Sequence, residues 1–154
     1  MAQYPLVQKK LHNEIDDIVG DSRLPSLADR AAMPYADAVM HELLRLSSIV
    51  PLGVFHKAMK DVDFHGYRIP KDTMIFANLY AVHHDPKVYK NPGVFLPERF
   101  LGEEGKTLKS EAFLPFSTGK RGCEEKNRCF FVYYTFKKFS ACPVMSNVWI
   151  ILRI

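Results

Sequence analysis

The sequence predicts a mainly α-helical fold carrying a small antiparallel β-sheet, and three stretches support that prediction. Two runs, residues 5–19 and a second from Pro34 onward, place apolar side chains at helical spacing. A middle run, residues 55–76, is rich in aromatic and β-branched residues interrupted by turn formers, the pattern of short strands. From 91 to 116 the chain is loop-like, with Pro92, Gly93, Pro97, Gly102, Gly105 and Pro115; so long a tract inside a domain is usually functional or weakly ordered.

The first helix is expected over Pro5–Val19. Val7, Leu11, Ile15 and Ile18 form its apolar stripe, and Lys9, Lys10, Glu14 and Asp17 lie elsewhere. Pro5 is tolerated in the first turn, and Gly20 stops the helix. A helix that begins at once, with nothing ahead of it to cover its stripe, is expected of a chain cut from something larger. Residues 21–30 read as a polar connector. The second helix carries Val39, Leu43 and Leu46, and within it Glu42 and Arg45 are three apart, so they share a face and can pair. Next comes an apolar, Pro- and Gly-punctuated run, Ile49–Phe55. Turns follow at 64–67 and 68–72, then a short strand at 73–76 and a short helix from Asn78 to His83 that Asp85-Pro86 ends. His83 and His84 have no companions at metal-ligand spacing, so they are expected as a solvated pair near a helix end.

The 154 residues can form one domain with a sizeable core, and 47% hydrophobic with 25% charged content is ordinary for a globular protein. A net charge of +4 is mild and its cations are scattered, which argues against nucleic acid as a partner. Cys123, Cys129 and Cys142 form no CxxC pair and cannot all pair with one another, so a reducing compartment is the simpler assumption. Residues 1–30 hold no long apolar run of the kind a signal or spanning segment needs.

The chemistry gathers at residues 116–123, Phe-Ser-Thr-Gly-Lys-Arg-Gly-Cys. A metal-binding thiolate needs nearby positive charge or backbone amides to hold its pKa down, and an apolar wall against water. Arg121 can supply the charge and Phe116 the wall, while Gly119 and Gly122 let the backbone turn its amides toward Cys123. A phosphate loop is excluded: Leu114 stands where its first glycine belongs and Arg121 where a Ser or Thr must follow the lysine. Zinc held by the three cysteines and a histidine fits no usual ligand spacing.

This octapeptide resembles the haem-binding loop of the cytochrome P450 family, with Phe116, Gly119, Arg121 and Cys123 in register and Glu125 in place of the family's next glycine. Residues 35–46 resemble the family's K helix with its Glu-x-x-Arg pair, and Pro97-Glu98-Arg99-Phe100 resembles the segment whose arginine completes a triad with that pair. The resemblance therefore implies a structural triad of Glu42, Arg45 and Arg99. It also implies substrate-facing Val50, Leu52 and Val54, with His56 at the position that bonds a haem propionate. The implied architecture is the C-terminal part of that fold: helices J and K, a small sheet, a meander and the haem loop. Residues 1–123 form a partial domain and 124–154 a divergent tail of weak order, with aromatic and β-branched residues lacking a helical period.

The function implied is that of a haem-thiolate monooxygenase, an oxidoreductase of the microsomal branch. Heme b (iron protoporphyrin IX) is its cofactor and Cys123 the axial iron ligand; no catalytic residue beyond that ligand is expected here. NADPH-cytochrome P450 reductase is the implied electron donor, docking near Lys106, Lys109, Lys120 and Arg121, and the substrate is a lipophilic small molecule. The full-length relative is expected on the cytosolic face of the endoplasmic reticulum membrane, although this chain shows no anchor of its own. The alternative is a catalytically incompetent, truncated or mis-spliced fragment, either a haem-binding remnant or a non-enzymatic interaction protein. Without the oxygen-activating helix, the chain alone is expected to be inactive.

Overall fold

The computed structural model describes residues 3–20, 22–103, 106–108 and 110–118. It is mainly helical with short antiparallel strands. The described residues form two compact units, one containing residues up to Glu42 together with Leu96–Leu108, the other Leu43–Phe95 together with the described residues from 110 to 118.

In the first unit, α1 spans Pro5–Ile18. Proline sits at the N-terminal position where its missing N–H costs nothing, and Gly20 ends the helix in the left-handed region at φ 66°. The Gly20 amide bonds back to the Asp16 carbonyl at 3.0 Å. Leu11, Ile15 and Val19 are buried, each worth roughly 1.5–3 kcal/mol relative to exposure. Val7 and Ile18 are half-buried, so the buried line drifts one residue from the expected stripe.

The stretch read as a connector contains a 3₁₀ turn, Leu27–Ala32. Asp29 organises it. Its carboxylate accepts the Ser26 amide at 2.7 Å, the Ser26 hydroxyl at 2.9 Å and two Arg23 guanidinium bonds at 2.6 and 2.7 Å. Those donors hold the Asp29 carboxyl well below the usual carboxylate range, the Arg23 bond most of all.

α2 spans Pro34–Ser47. No Ser, Thr, Asn or Asp precedes it, since Met33 stands there, yet its first amides are satisfied from outside. Glu14 of α1 accepts the Tyr35 N–H at 2.8 Å and the Ala36 N–H at 2.6 Å, placing negative charge on the positive end of the helix. Sequence periodicity had put Glu14 off the apolar stripe; the structure half-buries it as this cap. Met33, Ala36, Val39 and Met40 are buried, as is Phe100, whose ring lies 5.4 Å from that of His41.

Farther along, α2 departs from the expected stripe. Leu43 is 36% exposed and Leu46 half-buried, while Leu44, Glu42 and Arg45 are buried. Hydrophobic periodicity could not anticipate this, because the inward face here includes two charged residues whose burial depends on partners distant in sequence.

In the second unit, β1 (His56–Lys57) pairs antiparallel with β4 (Met74–Ile75), and β2 (Val62–Phe64) pairs antiparallel with β3 (Tyr67–Ile69). The expected small sheet is thus two separate ladders. The β2–β3 turn, His65-Gly66, has positive φ at both residues (48° and 83°), the hairpin geometry that matches strand twist and favours glycine. α3 covers Leu79–His83, with the Asn78 side chain accepting the Ala81 N–H at 3.0 Å. Among the described residues no helix is long and apolar enough to cross a membrane.

Candidate functional site

Glu42 is fully buried in the first unit, and its Oε1 accepts two bonds from one short segment: the Leu96 N–H at 2.9 Å and the Arg99 Nε–H at 3.1 Å. The segment between them opens the 3₁₀ turn Pro97–Phe100. One carboxylate therefore fastens the turn by its backbone and by its guanidinium. Arg99 is itself nearly buried, so the pair works at reduced dielectric and is held by hydrogen bonds as well as charge. The adjacent Glu98 instead meets Lys10 of α1 at 3.0 Å in the open. Burial and the nearby Glu98 carboxylate push the Tyr35 phenol up to about 12.

Arg45 is fully buried in the second unit. Its guanidinium donates to the His83 carbonyl at 2.7 Å and the Pro92 carbonyl at 2.8 Å, and its plane carbon lies 5.1 Å from the centre of the Tyr89 ring. A planar fork can reach two carbonyls on different segments and still lie over an aromatic face, which an ammonium cannot.

His83 corrects the expectation of a solvated pair, for it is fully buried. The reason lies in the spacing of α3: Leu79 faces inward, and a residue four positions later shares its face. His84 is half-buried and stacks on Tyr80 with ring centres 3.9 Å apart. His83 Nε2 accepts the Leu114 N–H at 3.0 Å. An amide only donates, so Nε2 is the bare nitrogen and Nδ1 carries the proton, which it gives to Ser48 Oγ at 3.3 Å. The Ser48 hydroxyl in turn donates to the Arg45 carbonyl at 2.9 Å. Burial, then the charges of Arg45 and His84, push the imidazole down to about 4, so it is neutral at pH 7. Sequence reading missed His83, Ser48 and Tyr89 as members of this network; the only signal was the Leu79–His83 spacing.

Beyond His83 the chain runs through two tight turns. The Phe113 N–H reaches the Ser110 carbonyl at 3.0 Å and the Ser117 N–H the Leu114 carbonyl at 3.1 Å, with Pro115 suited to the first corner of the second turn. Ser117 takes φ 62°, unusual for a residue with a Cβ. Phe116 is half-buried there. Cys123, Gly119 and Arg121, together with Lys109 and Lys120, lie outside the described residues, as does the tail 124–154.

His56 is half-buried on β1, opposite Ile75. Val50, Leu52 and Val54 are exposed, as are Phe55 and Phe76, whose rings meet edge to face at 4.9 Å. So much apolar surface in one short tract is unusual for a face that meets only water. Lys106 borders a hollow of about 450 Å³ in the first unit with Leu27, Arg30, Pro34, Asp37 and Thr107. Arg30 is held there by Asp37 at 2.8 Å.

Comparison with known proteins agrees with these segments. The family model for cytochrome P450 matches residues 1–124. Cytochrome P450 2B9 of Mus musculus is 50% identical over 123 residues, 80% of this chain and 25% of the relative. Cytochrome P450 2B2 of Rattus norvegicus is 48% identical over the same coverage. Cytochrome P450 2G1 of Oryctolagus cuniculus is 44% identical over 153 residues, 96% of this chain and 31% of the relative. The chain spans about a quarter to a third of the length of these relatives. With the family model covering most of its length and half of the aligned residues shared with a curated member, the chain belongs to the cytochrome P450 family.

Proposed function

We propose that this chain carries the iron-binding part of a haem-thiolate monooxygenase, with Cys123 as the axial ligand of heme b. The observation that carries the reading is that the Phe116–Cys123 motif falls inside the stretch matched by the family model. The described residues fit such a group. In the second unit, Val50, Leu52, Val54, Phe55 and Phe76 present apolar surface to solvent, which a macrocycle and a lipophilic substrate would cover.

In this reading Phe116 shields the sulfur from water, and Arg121 with the backbone amides that Gly119 frees holds the thiolate charge. His56 bonds a propionate. Glu42, Arg45 and Arg99 act as the structural triad: Glu42 fastens the Pro97–Phe100 turn, and Arg45 fastens the segments around His83 and Pro92. When bound, heme b supplies the iron that activates dioxygen, one atom of which enters the lipophilic substrate while the other leaves as water. NADPH-cytochrome P450 reductase supplies the electrons at a face including Lys106, and the full-length relative works at the endoplasmic reticulum membrane.

Titration of the purified chain with haemin, followed by the reduced, carbon-monoxide-bound spectrum, tests this reading. A strongly red-shifted Soret band at one equivalent is expected; a spectrum of histidine ligation, or none, would overturn it. Glu125, where the family has glycine, favours a second reading, a haem-binding remnant without turnover. Stoichiometric haem without product formation in the presence of reductase is the result that reading expects.

A further inference from the structure

We infer that His83 is a positioning residue for the approach to the Cys123 loop, its neutral ring fixing the path of residues 113–116 through the Leu114 amide. This rests on the proposed haem-thiolate reading only for its consequence at the haem; the geometry stands without it.

The argument begins from donor and acceptor inventory. Leu114 precedes Pro115, and its partly buried N–H needs an acceptor. Nε2 of His83 provides it at 3.0 Å. The ring is itself fixed by its other nitrogen, through Ser48 to the Arg45 carbonyl, and its backbone carbonyl is held by the Arg45 guanidinium. The network closes on itself: Arg45 holds the His83 main chain, and the His83 side chain leads back to the Arg45 main chain. Phe113 lies roughly parallel to the imidazole with ring centres 6.0 Å apart, which adds a second contact from the same segment. Arg45 from α2 and the adjacent His84 are the charged and titratable groups that act on the ring, and both oppose its protonation. A protonated ring would turn Nε2 into a donor facing another donor, and the Leu114 bond would be lost.

Ser48 shows how firmly the network is built. It takes φ 39° at the end of α2, a conformation that disfavours side chains, yet it keeps both hydroxyl contacts. Leu114 stands nine positions before Cys123, and the turn that holds Phe116 starts at its carbonyl. Displacing that amide therefore displaces the aromatic proposed to wall the sulfur.

The full chain is compared with His83→Leu and His83→Gln by hydrogen exchange at pH 7. Leucine removes the acceptor, whereas glutamine can place its side-chain oxygen near the Nε2 position. Expected is an exchange increase of about tenfold or more in a peptide covering 112–118 for His83→Leu, with a peptide covering 34–44 unchanged, and recovery in His83→Gln. Unchanged exchange at 112–118 in a folded His83→Leu overturns the inference. Nitrogen-15 shifts of the native ring give an independent decision, which holds even where the leucine variant fails to fold. A neutral ring protonated at Nδ1 is expected, and one protonated at Nε2 overturns the inference.

Haemin affinity separates the two levels. His83→Leu is expected to bind haemin about tenfold more weakly, with less of the red-shifted band, and glutamine to restore it. Lost protection with native haemin affinity overturns the positioning role. No red-shifted band in the native chain overturns the functional reading instead, and the exchange and nitrogen-15 results then decide the Leu114 contact alone.

Discussion

Glu42 and Arg99 are fifty-seven residues apart in sequence and meet at 3.1 Å between the carboxylate Oε1 and the guanidinium Nε, with the Leu96 amide sharing the same oxygen. Removing the carboxylate takes the shared acceptor from two part-buried bonds, one of them to a guanidinium whose side chain is only 10% exposed. Glu42→Ala is expected to cost about 3–5 kcal/mol, and Glu42→Gln, which keeps an acceptor oxygen for Leu96, distinctly less. Urea unfolding midpoints with unchanged slope check the order; equal losses in the two variants would contradict it.

Arg45 serves two carbonyls and an aromatic face at once. Arg45→Lys keeps the charge and loses the fork, so one of the two carbonyls is left without its donor. A loss of about 2 kcal/mol is expected, and more for Arg45→Met, which deprives both. Chemical denaturation of the two variants beside the native chain measures the difference.

Glu14 caps α2 from another helix. Glu14→Ala leaves two first-turn amides without acceptors and removes a favourable charge from the helix N-terminus. The expected cost is about 1–2 kcal/mol, seen as a lower thermal midpoint. Glu14→Gln retains one acceptor and is expected to fall between the two.

His83 gives stability a pH dependence of defined sign. Its folded value, about 4, lies below the ordinary histidine value of 6.5, so the unfolded chain binds the proton more readily. The contribution is fully present above about pH 6.5 and is lost as pH falls toward 4. Over that window the shift corresponds to about 3 kcal/mol. Urea midpoints between pH 7.5 and 4.5 should fall less steeply in His83→Gln; parallel profiles for the two proteins would contradict the assignment.

Much of the fold was legible in the residues themselves. Pro5 and Gly20 bracket α1 within a residue of its observed end, Pro34 opens α2, and Asn78 with Asp85-Pro86 bounds α3. These are local effects: a fixed φ, a permitted positive φ, or a side chain that reaches an amide two or three residues away. A strand-rich middle was legible too, and β4 lies inside the strand expected at 73–76, but β3 (Tyr67–Ile69) occupies residues expected as turns. The division into two ladders was not legible, because pairing depends on which edge each strand meets.

Sequence by itself determined the ends of α1, the start of α2 and the extent of α3 to within a residue, the motif ending at Cys123 and, through three ordered motifs, the family. Only the tertiary structure decided which polar residues turn inward. Glu14 reads as a surface acid and caps α2, while His83 reads as solvated and accepts Leu114 from full burial. Leu43, expected on the apolar stripe of α2, is exposed instead. The physical reason is shared by Glu14, His83 and Glu42, the buried neighbour of Leu43. Burying a polar or charged group is favourable only when its partners are in place, and those partners come from segments 21 to 57 residues away, beyond the reach of any local pattern.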